Sequence, residues 1–95
     1  DEQVWDILGK LPDEYLTNRT KWLTVTSILK SHGRYEIWRE WSKNASNYDE
    51  VKNQPAWESN KDILDINYLV WVLNQNGVGM EQIPKHYTKF YQFDS

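Results

Sequence analysis

Along nearly the whole chain, apolar residues recur three and four positions apart, and little interrupts them: 95 residues hold only four Gly and three Pro. Three-and-four spacing is the period of a helix with one buried face, whereas a strand buries alternate residues. The fold class is therefore expected to be all-α, a compact bundle of five or six helices. Six Trp and six Tyr supply the ring volume for one Trp-rich core, and a chain of ~100 residues supports one such core. Residues 1–95 are read as a single domain, and the start at Asp1 without Met suggests a piece cut from a larger protein.

The first helix is expected from Glu2 to Gly9, with Val4, Trp5, Leu8 and Leu11 on its buried face; Tyr15 and Leu16 fall in a connector. A second starts near Thr20, capped by Asn18 or Thr20, and ends before His32-Gly33, where Gly supplies a left-handed residue. Trp22, Val25, Ile28 and Leu29 share one face, Lys21 lies at its edge and Leu23 points elsewhere. Arg34 to Asn44 forms the third, with Ile37, Trp38 and Trp41 inside and Glu36, Arg39, Glu40 and Lys43 outside. Ser46 or Asn47 is expected to cap a fourth helix carrying Tyr48, Val51 and Trp57. Pro55 removes an amide donor there and predicts a kink or split. Asp65 caps a fifth, Ile66 to Gln75, whose apolar residues leave only Asn67 and Asn74 as a polar stripe; such a helix belongs in the middle of a bundle. Asn76-Gly77 stops it, and Met80 to Phe90 offers a last helix, interrupted or restarted at Pro84.

The same residues exclude much chemistry. Without Cys there is neither a disulfide framework nor a thiolate metal site. No stretch approaches the ~20 apolar residues of a membrane span. Gly77 and Gly79 have no following Lys-Ser to complete a phosphate loop. His32 and His86 lack companions at ligand spacing, and Asp65, three residues after Asp62, is explained as a helix cap. No nucleophile with its base, no metal and no cofactor is expected in this domain, which is read as non-catalytic.

Net charge is −3, yet it is unevenly spread. Five acids face only Lys10 up to Asn18, whereas Arg19 to Lys61 holds eight bases against five acids. An excess this small is ordinarily just a solvated surface.

One set of residues carries more specific information. Tyr15 and Trp22, then Ile37-Trp38-Arg39-Glu40-Trp41-Ser42, then Asn47-Tyr48-Asp49-Glu50, Trp57, and Asp65-Ile66-Asn67-Tyr68-Leu69 ending at Gly77, resemble the primase C-terminal type 2 domain. The resemblance covers roughly Leu8 to Gly77. Asn53 stands where that family often has Cys, Leu73 where a small residue is usual, and Pro55 departs from the pattern.

The resemblance implies a helical accessory module beside primase and superfamily 3 helicase domains of large DNA viruses, phages and mobile elements. It further implies an intracellular setting, the host cell cytoplasm or the site of viral or mobile-element DNA replication. Its expected partners are single-stranded DNA template, weakly bound, with the initiating nucleotide, and the adjacent primase and helicase domains of the same chain. No membrane partner is expected, and any oligomer would form through the helicase part. Trp22, Trp38, Trp41 and Trp57 are taken as core, so template contacts must come from exposed cations: Arg19, Lys21, Arg34, Arg39, Lys43, Lys52 and Lys61. Arg39 and Lys43, on one helix face, form the favoured pair. The alternative is a structural connector that docks through Leu23, Trp71 and the Phe90 to Phe93 tail without touching DNA.

Overall fold

The computed structural model describes residues 2–61 and 64–83. They form six α-helices and no strand: α1 (Glu2–Gly9), α2 (Glu14–Thr17), α3 (Arg19–Ser31), α4 (Tyr35–Ser42), α5 (Glu50–Ser59) and α6 (Ile66–Gln75), then a 3₁₀ turn at Met80–Gln82. The last expected helix is thus a single turn as far as Ile83; Pro84, His86 and the aromatic tail, like Asp62, lie outside the described residues.

The centre of the bundle is α3, which packs against α2, α4, α5 and α6. Its buried residues run right round toward both sides, Trp22, Val25, Ile28 and Leu29 being joined by Thr26 and Ser27. The central place expected for the fifth helix therefore belongs to α3. On α6, Leu69, Val70, Val72 and Leu73 form the buried arc, while Tyr68 and Trp71, 38% and 43% exposed, lie three residues apart on the far side. Similarly, α1 buries Val4, Ile7 and Leu8. Those positions, extended to Leu11, follow the i, i+3, i+4, i+7 stripe, which leaves Trp5 at its edge, 40% exposed.

Local signals set the helix ends. The Asn18 side chain accepts from the Lys21 amide, and Asp65 Oδ1 accepts from the amides of Asn67 and Tyr68 at 3.0 and 3.3 Å. Gly33 and Gly77 take φ of 70° and 86°. The amide of the residue after each glycine reaches back, Arg34 to the Leu29 carbonyl and Val78 to that of Leu73, the Schellman closure that only Gly enters without strain. Tyr15 is not in a connector: Pro12 and Asp13 start the short α2, and their carbonyls accept from Tyr15, Leu16 and Thr17.

Two expectations about α5 are corrected. Its cap is Asp49, whose Oδ1 accepts from Val51 and Lys52, because Asn44 to Tyr48 are used in successive turns. Nor does Pro55 split the helix, which runs unbroken through it. The carbonyl that loses its partner belongs to Val51, 83% exposed, a position where solvent can supply the missing donor.

The core is an indole stack tied by hydrogen bonds. Trp38 lies 4.9 Å from Trp57 and 5.7 Å from Trp22, ring to ring, and Tyr35 meets Trp57 edge-on. The Trp38 indole N–H donates to Thr26 Oγ1 at 2.9 Å, and that hydroxyl donates to the Trp22 carbonyl at 2.7 Å. The Trp22 indole donates to Ser42 Oγ at 3.0 Å. All three buried hydroxyl and indole links are thereby satisfied, as burial of polar groups demands.

Lys30, left out of the expected contact residues, closes the far end of α5. Its Nζ donates to the carbonyls of Trp57, Glu58 and Asn60 at 2.7, 3.1 and 2.7 Å, a cation placed on the negative end of a neighbouring helix. Lys30→Met, which keeps the stem and removes the donors, is expected to cost ~1–3 kcal/mol. Urea unfolding compared with wild type measures this, and an unchanged midpoint would show the three bonds to be idle.

Candidate functional site

The seven cations fall into distinct environments. Arg39 Nε donates to Glu50 Oε1 at 2.9 Å, and Lys43 pairs with Glu40 at 3.1 Å. Lys21 pairs with Glu14 at 2.8 Å and lies over the Tyr15 ring. Hydrogen bonding to Glu14 raises the Lys21 pKa from its ordinary value, and Glu50 does the same for Arg39. Each pair is close to neutral as seen from a distance, so a phosphate must displace a carboxylate to reach it. Arg34 is the half-buried N-cap residue of α4 and is engaged. Lys61 borders a separate open groove with Leu23, Thr24 and Leu64.

Arg19 and Lys52 are different. Neither has a carboxylate partner among the described residues, and they border the same pocket of about 220 Å³. Arg19 opens α3 and Lys52 lies in the first turn of α5. A helix start carries partial positive charge and favours anions, so a cation there opposes the helix dipole. Two helix starts and two cations converge on one opening, set against the single carboxylate of Asp49, which caps α5, so the rim carries an excess of positive charge despite the acidic chain. Arg19 is also placed by Trp22, with its guanidinium carbon 5.7 Å from the ring centroid. Stacking occupies the flat face of a guanidinium and leaves its in-plane donors for an anion.

Below that rim the pocket is uncharged except for Asp49. Leu16, Trp22 and Ala45 give it apolar surface, and Ser42, Asn47, Tyr48 and Asn53 give it hydrogen-bonding groups. Trp22 and Ser42 are buried whereas Arg19 and Lys52 are exposed, which orders the lining from depth to rim. The loop carrying Asn47 is tied to α2, its amide donating to the Thr17 carbonyl at 3.4 Å.

Sequence reasoning placed Arg19 and Lys52 among seven candidates behind the favoured pair Arg39 and Lys43, and did not single out Asn47, Tyr48 or Asn53. It separated the signature residues, assigned to the fold, from a site formed by exposed cations. In the structure Trp22, Ser42, Tyr48 and Asp49 of that signature line the pocket. The available signal was the run from Asn47 to Asp49, which combines polar and aromatic side chains in a segment too short to serve only the core. Among the described residues, no three His, Cys, Asp or Glu come together as a metal set, and no helix is long and apolar enough to cross a membrane.

No curated protein and no solved structure gives a significant match to the chain. The family model for primase C terminal 2 (PriCT-2) matches residues 4–83, a span from the first buried residue of α1 to the buried Ile83 after the 3₁₀ turn. Helices α2 to α6, all of α1 but its first two residues, the indole core and the residues around the pocket fall inside it, and the chain belongs to the primase C-terminal 2 family.

Proposed function

We propose that this domain is an accessory template-handling module of a DNA primase–helicase, holding single-stranded DNA, and the nucleotide that starts a primer, for an active site elsewhere in the protein. The family gives the association with primase. The observation that carries the rest is the pairing pattern of the cations: Arg19 and Lys52 stand at one opening with no ion-pair partner among the described residues, while Lys21, Arg39 and Lys43 are each matched by a carboxylate. Unmatched cations release counterions from phosphates at full effect. Two phosphates held this way give a log–log salt slope of about −1.4 for a single strand, with affinity in the range of non-specific sites, on the order of micromolar or weaker.

Fluorescence anisotropy of a labelled single-stranded dodecamer at several salt concentrations tests this. Arg19→Glu with Lys52→Glu is expected to remove most binding and flatten the slope, whereas Arg39→Glu with Lys43→Glu has the smaller effect. Because both replacements put an anion at a helix start, the first variant should unfold at an equal or slightly higher temperature. Loss of binding with retained stability is the signature of a binding role. Binding that is insensitive to the first pair would end the proposal.

The exposed Tyr68–Trp71 pair, ring centroids 5.4 Å apart, favours a second reading in which α6 docks on a neighbouring domain. Tyr68→Ala with Trp71→Ala in the full-length protein would then loosen domain association, read as faster proteolysis between domains, without altering strand affinity.

A further inference from the structure

Resting on the strand-binding reading above, the geometry points to a more specific role for the pocket behind Arg19 and Lys52: we propose that it receives one unstacked nucleobase while the two cations hold the adjoining phosphates. Size, lining and unused hydrogen-bonding capacity support this.

The volume, about 220 Å³, falls below the ~300–1,000 Å³ of pockets that enclose drug-sized ligands. It suits a single flat ring, and it is too small for a stacked run of bases. The lining also argues against a phosphate inside: Asp49 contributes a carboxylate to the pocket, and an anion would be repelled from it. A neutral ring with polar edges meets no such penalty. The half-exposed Tyr48 offers an aromatic face, and bases taken out of a strand are commonly held on such faces.

Two amides supply edge recognition. The Asn53 side chain is half-buried in the pocket wall and has no hydrogen-bond partner among the described residues. Asn47 donates one N–H to Thr17 and keeps its carbonyl oxygen and second N–H. A side-chain amide presents a donor and an acceptor side by side, the pattern that pairs with a base edge. Without a protein partner the Asn53 amide atoms stay open to solvent, so a base edge would take the place of water there and meet both a donor and an acceptor. The shared ligand chemistry is a base with its phosphate, whether borne by a template strand or by a free nucleotide.

The test compares base-bearing dodecamers of thymidine, deoxycytidine or deoxyadenosine with a fully abasic dodecamer, using anisotropy for affinity and NMR for the Asn47 and Asn53 side-chain amides. Deoxyadenosine and thymidine monophosphates form a separate arm, which distinguishes a free nucleotide from a strand as the source of the base. At least one base-bearing strand is expected to bind on the order of tenfold more tightly than the abasic one, with shifts at the Asn53 amide. Asn53→Ala and Tyr48→Ala should each erase most of that margin and leave abasic binding unchanged. If the abasic strand binds as tightly as every other, and Arg19→Glu with Lys52→Glu still weakens them all, the base pocket is wrong and the phosphate contacts stand. If charge reversal weakens none of them, the strand-binding reading fails and the pocket proposal falls with it.

Discussion

Trp38→Ala should lower the unfolding free energy by ~3–5 kcal/mol, the range for removing a buried indole. Trp38 is 2% exposed and touches Trp22, Tyr35 and Trp57 through its ring, so no single neighbour can move in to fill the space. A second loss adds to the cavity: the Trp38 indole no longer donates to Thr26 Oγ1. Against a total of ~5–15 kcal/mol for a domain of this size, the thermal midpoint should fall by roughly 15 °C or more. Far-UV circular dichroism is the proper readout, because the variant also removes a fluorophore. Trp38→Phe separates the two losses. It keeps most of the ring contacts and drops the donor, so it should cost about 1–2 kcal/mol more than packing alone accounts for. A Trp38→Ala midpoint within a few degrees of wild type would mean that the stack is not what holds α3, α4 and α5 together.

How much of this was readable beforehand depends on how far apart in sequence the determinants lie. Asn18, Gly33, Asp65 and Gly77 act within one helical turn, and the structure places each where its local chemistry predicts. The cap of α5 was misplaced by only a few residues, since Ser46, Asn47 and Asp49 are all capable capping residues and only the turns before α5 choose among them. Burial on α6 was harder. A helix apolar nearly all round gives no direction from its own sequence, and its neighbours decide that Tyr68 and Trp71 face outward. Lys30 was equally opaque, because its three acceptors lie 27 to 30 residues away.

The site was legible as a set of residue types and not as a place. Arg39 on α4 and Lys43 at its C-terminal cap sit four apart and look like a pair of cations from sequence, but Glu50 comes from α5 to meet Arg39. Arg19 and Lys52, 33 positions apart, share no helix and no motif. Their common opening exists only because α3 brings the start of α5 beside its own first turn. Motif spacing locates groups that one helix can present together. Which charges remain unmatched is a property of the packed bundle.

Leu73 offers the sharpest test of whether this core is packed for its own sequence. The resemblance drawn from the sequence puts a small residue at this position, and helix propensity favours Ala there by a few tenths of a kcal/mol. Packing argues the other way. Leu73 is fully buried, and its carbonyl accepts from the Asn76 and Val78 amides that close the turn after α6. Val78, also buried in the core, occupies the position whose side chain usually packs on the residue at Leu73's place in this closure. Truncation would leave a cavity beneath that turn and cost ~2–5 kcal/mol, several times the propensity gain. Urea unfolding of Leu73→Ala gives the net value, and amide exchange at Asn76 and Val78 shows whether the turn loosens first. Neutral stability with unchanged exchange would mean that the side chain at 73 fills space the bundle can close without it.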